Sequence, residues 1–128
     1  MLTTAYLCLL VAGLLPVVCT GIAKAGFRQY DNNQPRQWLA RQTGYRARAN
    51  AAEANSLEAF ALFAAALLAA IQTGVATGLV NGLAVTFVLA RLLYIVCYVA
   101  DKATMRSSIW AVGYGVSIAL AVLAIQAA

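Results

Sequence analysis

Four long apolar stretches separated by shorter polar ones set the pattern of this chain, at about residues 2–23, 49–72, 79–100 and 109–127. Each supplies the roughly 20 apolar residues that a membrane-spanning helix needs. Leu, Ala and Val run through them without alternation, and each is about twice as long as a transmembrane strand. Hydrocarbon offers no water to backbone N–H and C=O groups, so a spanning segment must pair them internally, as a helix does. The pattern predicts an all-α integral membrane four-helix bundle in a single domain, residues 1–128, with polar loops at about 24–48 and 101–108. Ala23-Lys24-Ala25 has the small-x-small form of a signal-peptide cleavage site. No positive charge precedes the first apolar run, which also exceeds the usual length of a signal core, so the first helix is expected to remain.

Composition sharpens this picture. Hydrophobic residues make up 63% of the 128 positions and charged ones only 10%, too few to cover the surface of a water-soluble domain. The net charge of +5 is unevenly placed, because Lys24, Arg28, Arg36, Arg41, Arg46 and Arg48 share the first loop. Lys102 and Arg106 lie in the third loop, and the turn at 73–78 is uncharged. Basic residues favour the cytoplasmic side, so both termini are expected outside. That clustering accounts for the charge without a nucleic-acid partner. Cys8, Cys19 and Cys97 lack metal-ligand spacing and the chain has no histidine, so no metal is expected and the thiols serve as small apolar residues.

Within the first loop, Asp31-Asn32-Asn33-Gln34-Pro35 predicts a turn, and residues 36–44 a short interfacial helix anchored by Trp38. Gly82 is expected at a tight helix contact, and Gly74 and Gly78 in a loop.

Glu58 and Arg91 break the apolar rule. Each stands about nine residues, or roughly 14 Å, from the cytoplasmic end of its predicted helix. Facing lipid at a helix centre, such a charge costs about 2.5–3.5 kcal/mol. Opposite signs at matched depth on consecutive antiparallel helices predict a pair, either a structural clasp or part of a site. Arg91, Tyr94 and Tyr98 share one face of the third helix, with Tyr98 also suited to anchor at the interface. Arg48, Asn55 and Glu58 form a stripe on the second helix, while Arg46, Asn50 and Glu53 lie on the nearly opposite side. Arg106, Ser107 and Ser108 precede the fourth helix, with Trp110 just inside it. They suit either an anion at a helix N-terminus or a serine N-cap beside a topology-setting arginine.

The segment from Arg48 to Phe60, with its Asn55-x-x-Glu58 core, resembles the second-helix signature of the MAPEG family, membrane-associated proteins in eicosanoid and glutathione metabolism. Arg91-x-x-Tyr94-x-x-x-Tyr98 is similar to the family's third-helix pattern, and Arg106-Ser107 to its entry into the fourth helix. Arg46 with Asn50-x-x-Glu53 offers a second register for the first motif, and Ala61 or Leu62 stands where the family commonly has proline. The resemblance, to bacterial-type members, spans nearly the whole chain. It implies a homotrimer in a bacterial inner membrane, with glutathione as co-substrate and a lipophilic electrophile or hydroperoxide as second substrate. Asn55, Glu58, Arg48, Arg91, Tyr94 and Tyr98 would hold the peptide, and Arg106 and Ser107 would act at the thiol; Lys24 corresponds only loosely to a basic first-helix residue. The alternative is a non-catalytic membrane protein that binds lipid or a protein partner. A small transporter subunit would need a polar stripe across the whole membrane, and here the polar residues gather in one half.

Overall fold

The computed structural model describes residues 1–26 and 29–128. Arg28, one of the basic residues counted in the first loop, lies outside the described residues. Five helices follow in order: α1 (Thr3–Lys24), α2 (Pro35–Ala40), α3 (Gly44–Gln72), α4 (Thr77–Val99) and α5 (Ala103–Ala127). All but α2 are long and apolar enough to cross a membrane. The chain is a four-helix membrane bundle.

A tight turn reverses the chain between α3 and α4. Gly74 takes a φ of +81° there, a left-handed conformation that side chains with a Cβ resist. At this end, Asn81 ties the start of α1 to α4. Its Oδ1 accepts from the Ala5 N–H at 3.1 Å, and its Nδ2 donates to the Met1 carbonyl at 2.8 Å.

The opposite end gathers every described Lys and Arg except Arg91. Arg46 donates to the carbonyls of Ala23 and Ala25 at 2.8 and 2.6 Å, and Arg48 donates through Nε and Nη2 to the Val99 carbonyl at 3.2 and 3.1 Å. The last carbonyls of a helix have no intrahelical donor and carry partial negative charge. Two arginines from the first turns of α3 thus cap the ends of α1 and α4. With 29 residues α3 is about 44 Å long, so its first turns project beyond a hydrocarbon core of about 30 Å. Its start at Gly44, five residues before the expected position, follows from that capping role.

The core is made of small residues around one aromatic pair. Phe63 of α3 and Phe87 of α4 stack with ring centroids 3.8 Å apart and planes 2° from parallel. Leu67, Val80 and Leu120 surround them, and Ala12, Ala66 and Ala84 let the backbones approach. At Gly13 a Cβ would stand 3.3 Å from the Phe60 ring, a tight contact that a residue without a side chain avoids where α1 meets α3. A second cluster nearer the basic end joins Leu15, Cys19, Ala52, Tyr94 and Ile95. Outward faces carry exposed Leu7, Leu10, Leu14, Leu89 and Leu93, as a lipid-facing surface requires.

Four local expectations change, the first at Gly78, which is expected in a loop but is the second residue of α4. Trp38 is buried rather than set in an interface, because α2 folds back on α3. Its ring meets Tyr30 edge-on at 5.2 Å and lies 5.9 Å below the Arg46 guanidinium. The short helix also stops at Ala40, since the chain must turn to begin α3 at Gly44. Gly82 is exposed and has nothing within 4 Å of where a Cβ would stand, so it makes no tight contact within the chain. The Asp31 turn forms as expected, with the Asn33 N–H donating to Asp31 Oδ1 at 2.9 Å.

Candidate functional site

Helix spacing put Arg91, Tyr94 and Tyr98 on one face of α4, and packing turns that face toward α3 and α5. The result is a ladder in which two tyrosine rings stand between two guanidiniums. The Arg91 guanidinium lies 4.0 Å from the Tyr94 ring centroid, Tyr94 meets Tyr98 edge-on at 5.6 Å, and the Arg106 guanidinium stands 4.3 Å from the Tyr98 ring. Cation–ring contacts of this kind contribute about 0.5–2 kcal/mol each, more where water is excluded.

Asn55, Tyr94, Tyr98, Arg106, Ser107 and Trp110 line an open cavity of about 220 Å³ near the basic end. Glu58 and Arg91 line a neighbouring cavity of about 170 Å³ deeper in the span, and Asn55 and Trp110 border both. Seven of the eight residues singled out from the sequence therefore border two adjoining chambers. Arg48 does not join them, because its guanidinium is held by the Val99 carbonyl. In the alternative register Arg46 is held in the same way, by Ala23 and Ala25. Asn50 and Glu53 line a separate open groove beside Lys24 and Arg36, which Glu58 also borders.

The expected Glu58–Arg91 pair does not form. Arg91, only 3% exposed, donates through Nη2 to the Ser56 hydroxyl at 3.1 Å. Ser56 in turn lies 3.9 Å from the Cys19 thiol. Glu58 is exposed on the surface of the chain, and no ion pair joins it to Arg91 among the described residues. Ser56 and Glu58 are two positions apart, so they point roughly 200° apart around α3, and Arg91 reaches the side that carries Ser56. Burial of the arginine is achieved with a hydroxyl and a ring in place of a carboxylate.

The start of α5 also differs from expectation. The helix begins at Ala103, so Arg106, Ser107 and Ser108 lie inside it, and Lys102 occupies the N-cap without a side-chain hydrogen bond. Neither serine caps the helix. Ser108 instead donates to the Thr104 carbonyl one turn back, at 3.0 Å. Among the described residues, Arg106 and Ser107 make no side-chain hydrogen bond, so both remain able to meet a ligand. Lys24 donates to the Tyr30 hydroxyl at 3.0 Å, away from these chambers.

Ser56, Trp110, Tyr114 and Ser117 belong to these chambers or brace them, and residue type gave little notice of it. Trp110 was visible as an aromatic just inside the helix. The two serines are common in membrane helices and carry no charge, so only their neighbours mark them.

A four-helix membrane bundle with a cationic polar chamber near one membrane face is the class that fold and site define. The sequence model of the MAPEG family matches residues 4–126. That match takes in all four spans, and the chain belongs to the MAPEG family. No curated protein and no solved structure matches it.

Proposed function

We propose that this protein is a glutathione-dependent transferase or peroxidase acting on lipophilic electrophiles or hydroperoxides. The observation that carries the proposal is the Arg106 guanidinium, over the Tyr98 ring and with no hydrogen-bond partner among the described residues, beside Ser107 in a chamber completed by Asn55 and Tyr94. Arg46, Arg48 and Arg91 donate hydrogen bonds to groups of the chain itself, whereas among the described residues Arg106 has only the Tyr98 ring beside it. Glutathione is an anion with a thiol that titrates near 8.5 when free. A cationic, partly desolvated site attracts it and raises the thiolate fraction.

In the transfer reaction the thiol first loses its proton to solvent. Its sulfur then forms a bond to the electrophilic carbon, and the leaving group departs with its electron pair. In the peroxidase reaction two glutathione thiols are oxidised to a disulfide while the hydroperoxide is reduced to an alcohol and water. Arg106 steadies the thiolate by charge and Ser107 by a hydrogen bond. Asn55 and the two tyrosines orient the peptide, and Glu58 stands ready for its amino group.

Assembly and orientation belong to the same proposal. Glu58 is the middle residue of α3 and is uncovered by its own chain, so a neighbouring copy in a homotrimer would shelter it from acyl chains. The basic end faces the cytoplasm by the positive-inside rule, in a bacterial inner membrane, with both termini on the other side.

Equilibrium binding of isotopically labelled glutathione to detergent-solubilised protein tests this function. Saturable binding is expected, weakened at least about tenfold by Arg106→Ala, the scale of losing one charge-assisted contact. Absence of saturable binding in the wild type sinks the proposal and leaves a non-catalytic membrane protein.

A further inference from the structure

Charges that share a groove without neutralising one another call for a partner in a chain this apolar. Lys24 of α1, Arg36 of α2 and Glu53 of α3 border one open groove of about 700 Å³. No ion pair joins any of them among the described residues. Asn50 lines the groove as well, and among the described residues Arg36, Asn50 and Glu53 make no side-chain hydrogen bond. Lys24 gives one of its three ammonium donors to the Tyr30 hydroxyl and has two more. Of the residues around this groove, only Glu58 also borders the chambers between α3, α4 and α5.

Depth and pattern identify the guest. Residues 53–72 of α3 span about 30 Å, the thickness of the hydrocarbon core, so Glu53 stands where acyl chains give way to headgroups. From that level the surface turns apolar toward the bilayer centre on both helices. One face of α1 carries Lys24, Thr20 and then Val17, and one face of α3 carries Asn50, Ala54 and then Leu57. Val17 and Leu57 are 68% and 56% exposed. A charged head continuous with an apolar tail, placed at headgroup depth, is the form of a phospholipid. Arg36 and Lys24 suit its phosphate, because their charged N–H donors bind phosphate oxygens strongly. The Glu53 carboxylate disfavours a head that is negative throughout and calls for a cation with N–H donors. A primary ammonium meets that demand. The quaternary ammonium of a choline head has no N–H, and a glycerol head has no cation.

We propose that the groove between α1, α2 and α3 holds a phospholipid with an ethanolamine head. Its phosphate lies on Arg36 and Lys24, its ammonium on Glu53 and Asn50, and an acyl chain along Val17 and Leu57. A lipid so held ties α2 to α1 and α3 at the membrane surface and neutralises three charges that the chain leaves apart.

Native mass spectrometry of the delipidated full-length protein in detergent tests the proposal, using phospholipids with identical acyl chains and ethanolamine, choline or glycerol heads. No glutathione is present, so the outcome is separate from that of the glutathione experiment. Saturation at one ethanolamine lipid per chain is expected, with a preference of at least about tenfold over the other two heads, the scale of one charge-assisted hydrogen bond. Glu53→Gln should cut the preference over the choline lipid to about threefold or less, and Arg36→Ala should weaken all three lipids about three- to tenfold. Should either variant fail to fold, the headgroup comparison on the wild-type protein decides alone. The proposal is overturned by equal retention of the three lipids, by a preference for the glycerol head, or by an ethanolamine preference undiminished in Glu53→Gln. It also falls if either variant changes the number of chains in the complex while lipid binding stays the same, which would assign the groove to a second copy.

Discussion

Arg91 on α4 and Ser56 on α3 are joined by a 3.1 Å hydrogen bond inside the membrane-spanning part of the bundle. A guanidinium at this depth is normally expected against a carboxylate, yet here a serine hydroxyl and the face of Tyr94 hold it. The bond draws α3 and α4 together beside the chambers and sets where the Tyr94–Tyr98 ladder begins.

Ser56→Ala removes the partner and leaves a buried guanidinium short of acceptors. The expected cost is about 1–3 kcal/mol, measured by denaturation in mixed micelles. Replacing Arg91 as well, in the Ser56→Ala/Arg91→Met double variant, should recover part of the loss, because two apolar groups no longer need each other. A double variant less stable than Ser56→Ala alone would show that the bond is not what holds Arg91.

Arg48 caps α4 in this structure, and its role in glutathione binding was an expectation from resemblance. Arg48→Ala should therefore lower stability by about 1–2 kcal/mol through the lost charge-assisted bonds to Val99, while glutathione affinity stays within about twofold. Calorimetry of unfolding and of binding on the same preparation separates the two roles. A large fall in affinity with stability intact would return Arg48 to the ligand.

Phe63 and Phe87 form the centre of the core, and both are fully or almost fully buried. Truncation by Phe63→Ala should cost about 3–5 kcal/mol, since the surrounding helices close only partly over the void. Phe63→Leu should cost less than half as much. Chemical denaturation curves for the two variants check both the magnitude and the order.

At the other membrane face, Asn81 holds the first residues of the chain. Hydrogen bonds between membrane helices average about 0.6 kcal/mol, and Asn81→Leu loses two, so a cost of about 1 kcal/mol is expected. Amide exchange should quicken over the first turn of α1 and remain unchanged near Arg46. Uniform quickening along α1 would mean that Asn81 supports the whole helix and not its start.

Orientation has a direct test. Ala76 is exposed in the turn between α3 and α4, and Thr104 is exposed at the opposite end. With the three native cysteines replaced, Ala76→Cys should react with an impermeant maleimide in intact cells, and Thr104→Cys only after permeabilisation. The reverse pattern would invert the topology.

Much of the fold was legible along the chain. Run length and hydropathy alone dictate four spans, because hydrocarbon tolerates neither unpaired backbone nor uncovered charge. Periodicity within a helix likewise placed Arg91 with Tyr94 and Tyr98, and the basic residues marked one end of the bundle. Which neighbour each face meets was decided only by tertiary packing. Spacing identifies residues that share a side of one helix but says nothing of how that helix is rotated against the next. For that reason the charge pairing of Glu58 with Arg91 looked favourable in sequence, and packing brought Ser56 to Arg91 in its place. The same rotation engaged Arg46 and Arg48 as caps, left Arg106 against the Tyr98 ring with no hydrogen-bond partner among the described residues, and brought Asn55, Arg91 and Ser117 to the lining of one cavity from three separate helices.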